Sequence, residues 1–496
     1  MSLLYSFFLG LLTAGIANSS SAGWWQLFTI ALFWRLLQKH HFHSASFQMK
    51  LAWCFGFGYF ALGLWWIYIS LHDVGGMPLW MSILGVSLLS GFLALFPTFA
   101  VWAGVRLNSN SYSALTWASI WTLVEWLRGH ILTGFPWIGF GDTQLSGPFV
   151  GIIPIFGVLG ATFLVFWGAF KIGSAPERLF FPLFSLGFAI FLISFLENIS
   201  YTQPIGKPLE VRLIQGNFPQ LMQYQQSALE EQNNFYLREY QSKSADLIIG
   251  PETAFSLPED RLPVGWDKDL KASLKENQTY LITGMIGAVG DEYSNRARAY
   301  LPNGEIYAYD KSHLVPFGEY IPPGFMWFVR AIQAPMTHFV MGDLNQPHLK
   351  ITRSNNPDVF AVITICYEDA FGSELASRMR ESPNDANFLV NITNLAWFGN
   401  TSAPLQQLRL AQLRSLESGL PSVRATNTGI TGFIDGKGKV QTQLPVFVQE
   451  SLVGNLQPRQ GKTPYIKWGD APILLFCIAI LAFRVRKNRT TVIDSY

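Results

Sequence analysis

Apolar residues fall into two patterns along this chain. Through residue 200 they form long runs, near 3–18, 23–38, 50–70, 79–104, 112–131, 149–171 and 179–196, and an eighth lies near 467–483. A bilayer core is crossed by about 20 apolar residues of helix. The runs therefore predict a polytopic α-helical membrane domain of about eight spans. The first lacks a basic leading segment and is followed by more spans, so it reads as a retained helix rather than a cleaved signal. Between the seventh and eighth runs the pattern shortens. Val211–Gly216, Leu247–Gly250, Tyr280–Gly284, Val359–Cys366 and Phe388–Ile392 read as buried strands. Helical patterns lie between them at about 222–243, 265–276 and 404–418. Asn303-Gly304 marks a hairpin within Tyr300–Asp310, and Gly432–Gly438 reads as a second hairpin turn. Strands alternating with helices predict a layered α/β sandwich. The organisation is an N-terminal membrane domain over 1–200 (about seven helices), an α/β domain over 208–455, and a C-terminal transmembrane helix over 465–490 with a basic end.

Composition sharpens this division. Asp, Glu, Lys and Arg number 12 in residues 1–200 and 56 in the remaining 296. Overall 49% of residues are hydrophobic and 14% charged, against about 25% charged in ordinary soluble proteins. That excludes disorder and small disulfide scaffolds, and a net charge of +2 gives no field for nucleic acid. With alternating spans, Arg35, Lys39, Lys50, Arg106, Lys171, Arg178, Arg484, Arg486, Lys487 and Arg489 fall on one side. The positive-inside bias then places both termini in the cytoplasm and the α/β domain beyond it, in a bacterial periplasm. His40, His41 and His43 lie beside Lys39 and read as a wet juxtamembrane loop, not a metal site. Glu125 and Arg128 either meet lipid head groups or pair with each other.

Three residues of the α/β region each end or follow an apolar strand. Cys54 and Cys477 sit in apolar runs and read as buried hydrophobes. Cys366 instead ends VITIC, where a thiol at a sheet rim can act as a nucleophile. Glu252 follows LIIG-Pro and can serve as general base. Lys311 ends the hairpin strand and can stabilise an oxyanion. Glu319, eight residues on, can hold that lysine. Each has a plain structural alternative: a buried thiol, a helix N-terminal acid, a solvated strand-end lysine.

The order Glu252, Lys311, Cys366 resembles the Glu-Lys-Cys triad of the nitrilase, or carbon–nitrogen hydrolase, superfamily. IQGNFPQ (214–220), PETAF (251–255), YDKSHLVPFGEYIP (309–322), ICYEDAF (365–371), RATNTGITG (424–432) and EWLRGHILTGFPW (125–137) narrow the resemblance to the apolipoprotein N-acyltransferase family, over nearly the whole chain. Two positions depart from that family's pattern: Leu395 stands where an acid is usual, and Gly250 where Trp is common.

The resemblance implies an αββα nitrilase-like sandwich and a ping-pong acyl transfer without metal or cofactor. Cys366 would attack the sn-1 ester of a phospholipid such as phosphatidylethanolamine, with Glu252 as base and Lys311 plus the Tyr367 backbone N–H as oxyanion donors. The thioester would then pass to the α-amine of a diacylglyceryl-cysteine apolipoprotein. Glu319 and Glu368 would support the site. Trp327, Phe328, Trp397 and Phe398 would line the acyl groove, with Phe325 and Met326 beside them, in a monomer working at the bilayer surface. The alternatives are a membrane-tethered amidase acting on a small substrate, a non-enzymatic lipoprotein-binding scaffold, and a transporter.

Overall fold

The computed structural model describes every residue except 18, 20, 108–112, 175–179, 220–225, 243–244, 323, 325, 327–337 and 494–496. The chain divides into two compact units: residues 1–68, 78–199 and 467–496 in one, 69–77 and 200–466 in the other.

The first unit is helical. Each predicted apolar run falls on a helix: Ser2–Ile16, Ala22–Lys39, Ala45–Gly63, Leu79–Leu93 continued by Leu95–Leu107, Ala114–Arg128, Ile153–Gly173, Phe180–Leu196 and Ala471–Ile493. Eight full spans are not established. Among the described residues two helices, Leu79–Leu107 and Val150–Gly173, are long and apolar enough to cross a membrane. Ala45–Gly63 with Ile67–Val74 makes a third only if this pair, bent by 60°, is one span. The reason is length: Ser2–Ile16 and Ala114–Arg128 have 15 residues each, about 22 Å of helix against a hydrocarbon core of about 30 Å. Glu125 and Arg128 pair with each other, Nη2 to Oε1 at 2.5 Å. Arg128 also donates to the carbonyls of Phe135 and Trp137, and Glu125 accepts from the Phe140 N–H. This buried pair ties the helix end to the irregular chain that follows.

The second unit contains two sheets. One runs in the order Glu450–Leu456, Leu209–Gln215, Leu247–Ile249, Tyr280–Val289, Glu292–Tyr300, Ile306–Asp310, with Phe255–Pro258 added beside Tyr280–Val289. The other runs Val440–Gln443, Gly432–Ile434, Ser422–Thr426, Phe388–Thr393, Val359–Ile365, Leu349–Ile351. The central strands of each sheet are parallel, with antiparallel strands toward the edges.

Side-chain alternation fixes the layers. Val211, Leu213, Ile249 and Ile282 of the first sheet share one core with Ile363, Ile365, Val390, Ile392 and Val423 of the second. Ile214, Ile248 and Leu281 face the other way, onto Tyr236 and Tyr240 of helix Gln226–Ser242 and Leu270 and Leu274 of helix Lys268–Glu276. Val362 and Leu389 likewise meet Leu375, Ala376 and Met379 of helix Gly372–Glu381. Both faces of each central strand are covered, which is why those strands read as unbroken apolar runs. The result is helix, sheet, sheet, helix.

Candidate active site

Two central strands and the edge strand Ile306–Asp310 deliver their carboxyl ends to one region, the usual place for ligands in such sheets. Ile249 leads through Gly250 and Pro251 to Glu252, Asp310 to Lys311, and Ile365 to Cys366. Close packing shapes the first loop. A Cβ on Gly284 would meet the Thr253 nitrogen at 2.5 Å and the Glu252 Cα at 2.6 Å, so this glycine lets the Glu252 loop lie on strand Tyr280–Val289. A Cβ on Gly250 would fall 1.8 Å from the Tyr240 hydroxyl, which is hydrogen-bonded to Thr283 at 2.8 Å. The tyrosine takes the space, so Gly250 is matched to its own surroundings. Three residues beside the site adopt left-handed backbone: Thr253 (φ 55°), Phe317 (φ 61°) and Cys366 (φ 52°). Such conformations in non-glycine residues cost about 1–2 kcal/mol each and concentrate at functional sites.

The structure brings Glu252, Lys311, Glu319 and Cys366 together. Lys311, 1% exposed, places Nζ 2.8 Å from Oε1 of Glu319 and 3.5 Å from Oε1 of Glu252. Asn295 Nδ2 bridges the same two carboxylates, donating to each at 2.7 Å. The second Glu252 oxygen accepts from the Asn394 backbone N–H at 2.7 Å, and the second Glu319 oxygen from the Val315 N–H at 2.7 Å. Both acids are held at both ends.

The electrostatics follow from burial. Removal from water pushes the Glu252 carboxyl above the ordinary range; Lys311 pulls it down, Glu319 pushes it up, and the Asn295 and Asn394 hydrogen bonds oppose the rise. Burial also raises the Cys366 thiol, with Glu252 adding to the rise and Lys311 opposing it. For Lys311, burial acts to lower the ammonium, but Glu319, Glu252 and Cys366 hold it above its ordinary value. The resting site is therefore a protonated thiol beside a carboxyl and a firmly charged ammonium.

Glu368 anchors the loops. Oε1 accepts from the Tyr309 hydroxyl at 2.8 Å, from the Ser312 N–H and hydroxyl at 2.7 Å each, and from the His313 N–H at 3.2 Å. Oε2 accepts from the Ile365 N–H at 2.7 Å. One carboxylate thus ties the turn after Lys311 to the strand ending in Cys366. Tyr367 is buried, with its ring edge-on to Phe371 at 5.0 Å. Trp397 and Phe398 are half-buried on the short helix Ala396–Phe398. Met326 is 42% exposed, while Trp327, Phe328 and Phe325 lie outside the described residues. Leu395, 1% exposed, fills an apolar position against Gly429 and bears no charge toward the site.

Sequence reading missed four contributors. Asn295 sits in an unexceptional strand pattern, Gln407 in mid-helix, and Arg424 in a strand. Asn394 acts through its backbone N–H. The words TNLAWFG and RATNTG carried a signal: Asn394 Oδ1 accepts from Asn427 Nδ2 at 3.1 Å, and Asn427 also bonds both backbone groups of Phe218.

A family model described as apolipoprotein N-acyltransferase N-terminal domain matches residues 9–170, and one described as carbon-nitrogen hydrolase matches residues 211–464. An apolipoprotein N-acyltransferase of Ralstonia nicotianae is 38% identical, with 96% of this chain and 91% of the relative covered. Relatives of the same description from Haemophilus influenzae (34%, covering 95% and 94%) and Shewanella oneidensis (33%, covering 97% and 94%) align just as fully. Among solved structures, a nitrilase-superfamily amidase of Nesterenkonia AN1 is 18% identical over 54% of this chain and 97% of its own, with a TM-score of 0.39.

Proposed function

The chain belongs to the apolipoprotein N-acyltransferase family, and on that premise we propose how its own residues perform the transfer. The protein is an N-acyltransferase that moves an acyl chain from a phospholipid to the α-amino group of a lipoprotein's N-terminal diacylglyceryl-cysteine. The observation that carries the mechanism is the buried cluster in which Lys311 and Asn295 both reach Glu252 and Glu319.

Glu252 takes the proton of Cys366 as Sγ attacks the ester carbonyl of the donor. Charge moves from the thiol to the ester oxygen, where the Lys311 ammonium and the Tyr367 N–H receive it. Collapse breaks the carbon–oxygen ester bond, and Glu252 returns the proton to the departing lysophospholipid. The acyl chain is now a thioester on Cys366. The lipoprotein amine attacks that carbonyl, gives its proton to Glu252, and the carbon–sulfur bond breaks with the proton passing to sulfur. Thioester to amide is downhill, so no nucleotide is consumed. Asn295 and the Asn394 N–H aim the two oxygens of Glu252, and Glu319 holds Lys311. Trp397 and Phe398 line the acyl path.

The donor is phosphatidylethanolamine. The protein works as a monomer in a bacterial inner membrane, multi-pass, with its catalytic domain periplasmic; the one-sided Lys and Arg distribution supports this orientation.

The test supplies purified enzyme with phosphatidylethanolamine and a diacylglyceryl-cysteine peptide. N-acyl peptide should form with wild type and not with Cys366→Ala. Hydrolysis of small amides without peptide acylation would favour the amidase reading instead.

A further inference from the structure

Gln407 lies on helix Ala403–Ser418, fully buried, with Nε2 3.6 Å from the Cys366 sulfur. Its orientation is dictated by its other partners. Oε1 accepts from Arg424 Nη2 at 2.8 Å, and a guanidinium carries only donors. The amide oxygen must face Arg424, so the NH₂ must face the opposite way. One hydrogen of that NH₂ goes to Thr393 Oγ1 at 3.3 Å, whose own hydroxyl is committed to Asn391 Oδ1 at 2.6 Å. The other is directed at Cys366. Arg424 is itself fixed, donating through Nε to the Ile430 carbonyl at 3.0 Å and lying 3.7 Å from Asp369.

We infer that Gln407 is a further catalytic residue, donating a hydrogen bond to the Cys366 sulfur that strengthens as the thiol becomes a thiolate and again as the thioester breaks. This deepens the mechanism above and rests on Cys366 being the nucleophile. The demand is evident: burial and Glu252 both oppose ionisation of this thiol, and Lys311 is shared with two carboxylates. A neutral donor that is already oriented stabilises sulfur charge without reorganising. A purely structural Gln407 would need only its contact with Arg424.

Two substitutions separate these roles. Gln407→Glu keeps the shape and an oxygen for Arg424 but turns an acceptor toward the sulfur. Gln407→Met keeps the volume but removes both the donor to sulfur and the oxygen that accepts from Arg424. Full-length protein in detergent is alkylated with iodoacetamide across pH 6–10, and modification at Cys366 is read by peptide mass, apart from Cys54 and Cys477. Both variants should shift the Cys366 profile upward by about one pH unit or more, an alkylation rate at pH 8 roughly tenfold below wild type, with Glu the slower. If the Glu variant does not fold, the Met variant decides. An unchanged profile in a folded variant overturns the inference while leaving the triad mechanism standing. Retention of peptide N-acylation by Cys366→Ser would overturn both.

Discussion

The Lys311 ammonium stands 3.5 Å from Oε1 of Glu252, looser than its 2.8 Å contact with Glu319. A tight Glu252–Lys311 pair would bind the base's charge and weaken it as a proton acceptor. Here Glu319 takes the closer contact, and Glu252 remains a carboxyl raised by burial. A base whose affinity for a proton is increased in this way is better matched to a thiol that is itself raised.

Removing Glu319's charge tests this division. In Glu319→Gln, Glu252 loses a neighbour that raises it and faces Lys311 without competition. Both changes lower the Glu252 carboxyl. Acyl-enzyme formation requires ionised Glu252, so its acid limb should move to lower pH, while the maximal rate falls by up to roughly 100-fold as Lys311 shifts. A limb that moves to higher pH would contradict the assignment.

Asp369 gives a stability signature of opposite sense to most acids. Burial pushes it from an ordinary 3.8 to about 6, against the pull of Arg424 and the Thr364 hydrogen bond. A carboxyl raised on folding contributes stability that is complete below pH 3.8 and lost as pH rises through about 6. Wild type should therefore gain about 2 kcal/mol relative to Asp369→Asn as pH falls from 7 to 4. Thermal midpoints of the two proteins in detergent across that range check it; a constant difference would refute it.

Gly250→Ala should destabilise the α/β unit by about 1–3 kcal/mol through overpacking, because the new methyl meets the Tyr240 hydroxyl. Tyr240→Phe in the same chain should recover part of the loss, giving a coupling in a double-mutant cycle. Additive effects would show that the loop moves away instead.

How far the sequence carried this account depends on the kind of contact. The strands were legible because residues such as Val211, Ile249 and Ile363 are buried on both faces, which leaves continuous apolar runs. The strand-end positions of Glu252 and Cys366 were legible for the same reason, whereas Lys311, after the half-exposed edge strand Ile306–Asp310, was placed by the Asn303-Gly304 hairpin signal. Pairing Leu209–Gln215 with Glu450–Leu456 was not, because nothing local records a partner some 240 residues away. Asn295 and Gln407 were invisible for a related reason: their partners lie 24 to 43 and 14 to 41 residues distant, across different strands and a helix. The count of eight spans is not established by the structure, because apolar runs extend beyond helix ends. The fifth was read over 112–131, while its helix covers only Ala114–Arg128.

The central claim is a covalent acyl-enzyme at Cys366, and intact mass tests it most directly. Wild-type protein is incubated with phosphatidylethanolamine and no acceptor, beside Cys366→Ser. Wild type should gain the mass of one acyl chain, removable by neutral hydroxylamine and discharged into N-acyl peptide when a diacylglyceryl peptide is added, while the variant gains no hydroxylamine-labile acyl group. Peptide N-acylation by folded wild type without any such adduct, or an equally labile adduct on the variant, would contradict the mechanism.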